Sequence, residues 1–405
     1  MSQPKTEDQH KFDYFLVIAA VALLIVGLMM IYSATFALGY QLHGQATYFF
    51  IRQLLWMGLG TLGLVIFAHV EYHTWRRFSI PMMVLTMSLL ALVLVVGDER
   101  FGGQRWLFNG SIQPSELSKL VIVIYIADWL SSKGDRIQKV SYGLIPFAIL
   151  LGLITGLIVL QQDLSTAILI GTTSLAMFFI AGGNLYQIII SGVLGAGTLV
   201  MLITRSPYRL ARLTAFLDPL NSDPSGEGYQ IQQILIALGS GGLTGLGLGA
   251  SRQKFGYIPA SHTDGIFAIL GEELGLIGGL IVVGLFAFLG YRGFRIALAA
   301  PDSFGTVLAS GITCGLIFQA VVNVGVVTAS LPFTGVPLPL ISFGGSSLVT
   351  SMAGIGLLLA VSRRTNPKSR LEKEEQREVN HLRRRNRGTR ISGAGRRAKP
   401  KPATR

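Results

Sequence analysis

Charged residues make up 14% of this 405-residue chain, and those that lie in or beside apolar stretches fall into four clusters that could do acid–base or anion chemistry. His262-Thr263-Asp264 directly precedes an apolar run that itself contains Glu272 and Glu273. A carboxylate at a helix N-terminus is electrostatically favoured and can be a plain cap. Desolvated beside cations, the same group can act as a general base. Glu272 lies two helical turns further along, roughly 12 Å deeper at 1.5 Å per residue. That depth suits a buried ion-pair partner, so Glu272 and Glu273 read as structural. His262 has no His, Cys or acidic partner at ligand spacing, which argues against a metal site.

The other clusters offer mostly positive charge. Gly102-Gly103-Gln104-Arg105-Trp106-Leu107 is followed by Gln113-Pro114-Ser115-Glu116-Leu117-Ser118-Lys119. Pro114 suits a first helical turn, and Glu116 and Lys119, three apart, are neighbours on one face. Their plain reading is an interfacial Trp anchor and a local ion pair; their functional reading is an anion site built on Arg105 and Lys119. Asp163, in the polar break 161–166, is either a ligand contact or the N-cap of the next helix. Residues 205–263 hold Arg205, Arg209 and Arg212, then Asp218-Pro219, Gly228-Tyr229-Gln230 and Gln232-Gln233, then a glycine-rich run over 239–249. Such a run either forms an anion-binding nest of N–H groups or packs as a re-entrant segment. It lacks the Gly-Lys-Ser/Thr of a Walker loop.

These residues must be positioned by helices in lipid. Half of the chain is apolar, mean hydropathy is positive, and the apolar runs are about 20 residues long and continuous rather than alternating. Without water in the bilayer core, such runs must close their own hydrogen bonds as helices. The expected fold is an all-α polytopic membrane protein with ten spans, near 14–37, 49–69, 78–97, 114–131, 142–160, 164–182, 186–204, 265–291, 304–327 and 345–362. The first is too long for a signal-peptide core and should stay as an anchor. Lys5, Lys11, Arg76, Arg77, Lys133, Arg136, Lys139, Arg292 and Arg295 then fall on one side, which the positive-inside rule makes cytoplasmic together with both termini. The loop 205–263 falls outside. Its cations suggest an anionic ligand.

Residues 1–362 form the membrane domain in this reading. Residues 363–405 carry sixteen Lys or Arg against four Glu, nearly the whole net charge of +13. That tail is too polar to fold alone, and is read as disordered and cytoplasmic, bound to anionic lipid or docked to a cytoplasmic protein. The single cysteine, Cys314, excludes an internal disulfide and a Cys metal cluster.

Taken together, the clusters resemble the SEDS family of membrane proteins (shape, elongation, division and sporulation), which includes FtsW and RodA, from about Asp13 to Arg364. The stretches that carry the resemblance are Arg105-Trp106-Leu107 with Gln113-Pro114-Ser115-Glu116, Gly228-Tyr229-Gln230, Ser251-Arg252-Gln253-Lys254 through His262-Thr263-Asp264 to Gly271-Glu272-Glu273-Leu274-Gly275, and Pro337-Leu338-Pro339-Leu340-Ile341-Ser342-Phe343-Gly344-Gly345-Ser346-Ser347. Met30-Ile31-Tyr32-Ser33-Ala34 and Gln253-Lys254 lean toward FtsW. The chain departs from the family pattern at Gln162 and Ser165, where Pro and Gly are usual, at Ala260, where an acidic residue is usual, and at Gly265, where Phe is usual. Gly265 would loosen the helix start beside Asp264.

The resemblance implies an inverting peptidoglycan glycosyltransferase at the outer face of a bacterial plasma membrane, polymerising lipid II in division or elongation with release of undecaprenyl pyrophosphate. It implies Asp264 as the base on the acceptor hydroxyl. The substrate contacts expected are Arg105, Trp106, Glu116, Lys119, Asp163, Arg209, Arg212, Tyr229, Gln230, Gln233, Lys254, His262, Thr263, Ser342, Gly344 and Ser346. A divalent cation, Mg or Mn, could help to hold the diphosphates. A class B penicillin-binding protein is the implied partner, with other divisome or elongasome membrane proteins and no nucleic acid. A lipid II flippase and a non-catalytic division scaffold are the alternatives.

Overall fold

The computed structural model describes residues 12–100, 103–107, 110, 112–218 and 227–364. Lys5, Lys11, Gly102, Pro219 and the basic tail beyond Arg364 lie outside the described residues. Each of the ten expected apolar runs forms a helix. In chain order these are α1 (Tyr14–His43), α2 (Tyr48–His69), the short α3 (Tyr72–Arg77), α4 (Ser79–Val96), α5 (Pro114–Lys133), α6 (Leu144–Leu160), α7 (Leu164–Ile180), α8 (Leu185–Thr204), then α9 (Pro207–Leu217) and α10 (Glu227–Gly241) from the long loop, and finally α11 (Ile266–Ala299), α12 (Ser303–Val327) and α13 (Gly345–Ser362). Seven of them, α1, α2, α4, α8, α11, α12 and α13, are long and apolar enough to cross a membrane. α6 and α7 are apolar but shorter, and α5 carries Glu116, Lys119, Asp128 and Lys133.

The fold is not purely helical. β1 (Asp98–Arg100) pairs antiparallel with β2 (Gly103–Trp106), with Asp98 opposite Trp106 and Arg100 opposite Gly103. Here the chain leaves α4 and has no helix to satisfy its backbone, so a hairpin closes the hydrogen bonds instead. It thereby carries Arg105 and Trp106 to the mouth of the bundle.

α13 is the hub. It is buried on nearly every side and packs most extensively against α2. At Gly356 a Cβ would lie 2.5 Å from the Leu64 carbonyl oxygen, so only glycine lets the two backbones meet so closely. α8 is the opposite case. Gln187 is its one buried residue, leaving an apolar helix that only lipid can cover.

α11 is broken at Gly275, which has φ +67° and ψ −168°. Non-helical backbone at this depth needs other partners, and the glycine run after α10 provides them. Leu276 and Ile277 donate N–H to the carbonyls of Gly242 and Leu243 at 2.9 and 3.1 Å, while Leu246 and Gly247 donate to those of Glu272 and Glu273, both at 3.0 Å. The run is therefore a packed structural element, and those two N–H groups are not a nest for an anion.

Opposite ends of the bundle have different characters. At one end, ion pairs tie the helices together, Arg292 to Asp13 at 2.6 Å, Arg76 to Asp128 at 2.8 Å and Arg364 to Glu71 at 2.9 Å, and His73 Nε2 lies 2.8 Å from Asp302 Oδ2. The Asp13 N–H reaches Ser362 Oγ there, so the first and last helices begin and end side by side. The other ends of α1, α11 and α13 surround a cavity.

Candidate functional site

That cavity has a volume of about 1450 Å³. α1, α2, α5, α7, α8 and α9, the hairpin, and the segments before α11 and α13 all contribute to its wall. It gathers most of the expected site. Arg105 and Trp106 enter from β2, Glu116 from α5, and Asp163 from the break before α7. Arg209 and Arg212 come from α9 and Gln230 from α10. His262, Thr263 and Asp264 come from the segment before α11, and Gly344 and Ser346 from the start of α13.

Asp264 does not cap α11. The N-cap is Gly265, which has ordinary negative φ and no side-chain bond, so the carboxylate is left for other work. A Cβ at Gly265 would meet Ile258 Cγ2 at 3.0 Å and Ser261 Cα at 3.3 Å. Gly265 is thus packed tightly against the preceding loop, and Asp264 is fixed by its neighbours rather than loosened by glycine. Asp264 is buried, and Thr263 Oγ1 donates to its Oδ1 at 2.9 Å. Loss of water raises its pKa above the ordinary carboxylate value; the Thr263 bond, backbone N–H groups and the Arg212 charge pull it back only in part. A carboxylate held this way is a stronger proton acceptor than one in water.

The Arg212 guanidinium lies over the Tyr208 ring at 4.5 Å and the Phe333 ring at 5.1 Å. This aromatic seat holds a full positive charge close to Asp264. Arg209 donates to the Leu202 carbonyl at 3.2 Å. Arg105 Nε is buried with no hydrogen-bond partner among the described residues. His262 sits between Phe49 and Phe343, with ring centroids 5.3 and 5.6 Å away. Burial pushes its pKa down to about 4, so it is neutral at physiological pH and adds no cation. Asp163 does two jobs: its Oδ1 accepts the Thr166 N–H as N-cap of α7, while Oδ2 accepts from Gln113 Nε2 at 3.0 Å and Ser115 Oγ at 3.1 Å.

Several expected contacts are placed differently. Lys119 is absent from the cavity wall; its ammonium pairs with Glu116 at 2.7 Å and donates to Gln319 Oε1 at 2.7 Å. Lys254 borders the cavity, but its ammonium is taken by Glu273 at 3.0 Å, Ser33 Oγ at 3.2 Å and the Gly249 carbonyl at 2.6 Å. A lysine with these partners, 1% exposed, is placed as a buried counter-ion to Glu273. Tyr229, Gln233 and Ser342 also stand off the wall, and the Ser342 hydroxyl is engaged with backbone. Glu272 accepts from Ser251 Oγ at 2.5 Å and from the N–H groups of Arg252 and Gln253. Both glutamates are therefore structural, as their depth suggests.

The Lys254–Glu273 pair gives a stability prediction. Removing one partner of a buried ion pair leaves an uncompensated charge and costs about 3–5 kcal/mol. Lys254→Met should therefore lower the thermal unfolding midpoint in detergent sharply, and adding Glu273→Leu should recover much of the loss.

Other contributors were not singled out as site residues from the sequence. Arg52 and Trp56 of α2 line the cavity; Arg52 was visible in principle as a lone cation in an apolar span. Ser165 donates to the Thr334 carbonyl at 2.5 Å, tying α7 to the 332–337 segment, and only the fold brings those together. Asn323 of α12 had the same signal as Arg52, a polar side chain at membrane depth.

Among the described residues no group of three or more His, Cys, Asp or Glu side chains converges to hold a metal ion. What the arrangement can do is accept a proton at Asp264 and stabilise negative charge on arginines around it.

Residues 14–367 match the family model for cell cycle proteins of the FtsW, RodA and SpoVE type. The chain is 43% identical over 358 residues to stage V sporulation protein E of Bacillus subtilis (strain 168), covering 87% of this chain and 97% of that one. It is 39% identical over 370 residues to the "Probable peptidoglycan glycosyltransferase FtsW" of Coxiella burnetii, covering 90% and 99%. Among solved structures it resembles a chain of the complex described as "Structural coordination of polymerization and crosslinking by a peptidoglycan synthase complex", with TM-score 0.73, 30% identity and coverage of 88% and 99%. It also resembles the rod shape determining protein RodA of Thermus thermophilus, with TM-score 0.66, 29% identity and coverage of 90% and 100%.

Proposed function

This chain belongs to the FtsW, RodA and SpoVE family, the SEDS proteins, and from that premise we propose how it works as a peptidoglycan glycosyltransferase. It joins lipid II disaccharides into glycan strands and releases undecaprenyl pyrophosphate. The observation that carries the mechanism is a buried carboxylate, close to an arginine, on the wall of a cavity of about 1450 Å³. Asp264 takes the proton from the 4-hydroxyl of the acceptor GlcNAc as that oxygen attacks the anomeric carbon of the donor. The donor's bond to its diphosphate breaks with inversion. Arg212, Arg209 and Arg105 carry the developing charge on the leaving diphosphate, and Arg52 extends the same positive wall. Guanidinium forks suit this role because they bind phosphate oxygens in pairs. The donor set for a divalent cation is poor, so no step is assigned to one.

The reading puts ten spans in the membrane, with both termini cytoplasmic and residues 205–263 outside. The ion-paired end, where Asp13 meets Ser362, is then the cytoplasmic face, and the cavity opens where extracytoplasmic lipid II is met. A class B penicillin-binding protein crosslinks the product, in keeping with the similarity to a chain of a complex that couples polymerization to crosslinking. The broken α11 is a feature transporters also use. In this chain the carboxylates at that break are already bound by Lys254 and by N–H and hydroxyl groups, which favours structure over transport.

The test is direct. Purified full-length protein with its cognate transpeptidase should turn labelled lipid II into glycan polymer. Movement of lipid II across vesicles with no polymer would replace this reading with a flippase.

Asp264 must be ionised to act, so activity should fall as pH drops through its pKa. Because that pKa is raised by burial, the acidic limb of kcat/KM should lie above the ordinary carboxylate value. A pH series of polymer yield at low substrate checks this.

A further inference from the structure

The placing of Asp264 depends on two irregular segments, 262–265 and 332–344, that must hold each other. Ser342 Oγ donates to the Thr263 carbonyl at 2.5 Å and accepts the Leu338 N–H at 2.7 Å. The Phe343 N–H reaches the His262 carbonyl at 2.9 Å. The peptide of Asp264 itself is held from a different direction. Asn323 Nδ2, on α12, donates to the Asp264 carbonyl at 3.0 Å and to the Val336 carbonyl at 2.8 Å. One turn earlier, Gln319 Nε2 donates to the Pro337 carbonyl at 2.8 Å while its Oε1 accepts from Lys119. Polar contacts thus run from Glu116 and Lys119 of α5 through Gln319 to the Pro337 carbonyl, and from the adjacent Val336 carbonyl through Asn323 to the backbone of the proposed base.

We infer that Asn323 is the positioning residue of the general base, using both hydrogens of one amide to lock the Asp264 peptide to the 336–337 segment and so aim its carboxylate. The inference rests on Asp264 being the base. Asn323 is 1% exposed, and its Oδ1 is buried without a hydrogen-bond partner among the described residues. A buried acceptor left unsatisfied is unfavourable, so general polar comfort does not explain the residue; the two donors do. The reverse amide orientation would point Oδ1 at two carbonyl oxygens. Of the common buried side chains, an amide alone offers two hydrogens on one atom at this reach without charge.

Misplacing a reacting group by about 1 Å can cost about 100-fold in rate. Asn323→Leu keeps the branched shape, with bulkier methyl groups, and removes both donors. In full-length protein with its transpeptidase, its kcat for lipid II polymerisation should fall by about that factor, with KM nearly unchanged. The loosened segment should also readmit water to Asp264, with Arg212, Thr263 and the neutral His262 still beside it. The acidic limb should therefore move to lower pH, a shift that simple loss of folded protein would not produce. If Asn323→Leu does not fold, Asn323→Ser, smaller and with one donor, is read by the same criteria. A folded variant with wild-type kcat per molecule and the limb in place overturns the inference. Asp264→Asn is assayed alongside: polymer from it would bring down the base assignment and this inference together, whereas an inactive Asp264→Asn with wild-type Asn323 variants would remove the positioning role alone.

Discussion

Asp264→Asn should abolish glycan polymerisation while leaving the protein folded. The amide keeps the size of the carboxylate and can still accept the Thr263 hydroxyl, so the packing around Ile266 and Phe267 has no reason to change. What it loses is basicity. A general base is worth roughly 10²–10⁴ in rate, and among the described residues no other buried carboxylate on the cavity wall is free to replace it: Asp163 caps α7 and Glu116 pairs with Lys119. Polymer yield from labelled lipid II, set beside the thermal unfolding midpoint, separates lost chemistry from lost fold. Binding of lipid II should survive the change, because the arginines remain.

Arg212→Gln should weaken catalysis by a different route. A hydrogen bond to a charged group is worth about 1.5–3 kcal/mol, or roughly ten- to a hundredfold in kcat/KM. The same arginine lowers the pKa of Asp264, so its removal should push the acidic limb of the pH profile upward. Arg209→Gln should lose substrate use without that shift, since its guanidinium turns to the Leu202 carbonyl and is not among the influences on Asp264. Equal pH profiles for the two variants would mean that Arg212 does not act on the base.

The sequence made the helical scaffold legible because membrane helices must be apolar for about 20 residues. Each expected run is a helix. It could not show the break at Gly275, since a left-handed glycine reads no differently from a packed one until its neighbour, the 242–247 run, is in place. The hairpin over 98–106 was hidden for a related reason: it is too short to set up an alternating pattern. Around the site, depth alone pointed to buried polar partners for Glu272 and Glu273, while charge type alone did not show how Lys119 and Lys254 are paired. Glu116, the ion partner of Lys119, was legible three residues away, but Gln319 and Glu273 lie 200 and 19 residues from Lys119 and Lys254, and such pairing leaves no local trace. The Ser342 hydroxyl binds the Thr263 carbonyl and the Leu338 N–H, and the 79 residues between Thr263 and Ser342 hide that link from the sequence.

The most direct measurement is the pH dependence of kcat/KM for lipid II polymerisation by the full-length protein with its transpeptidase, run for wild type and Arg212→Gln. The expected result is an acidic limb above the ordinary carboxylate value in the wild type, displaced to higher pH in the variant. A rate that stays level across the range where carboxylates titrate, in both proteins, would contradict the assignment of Asp264 as the proton acceptor.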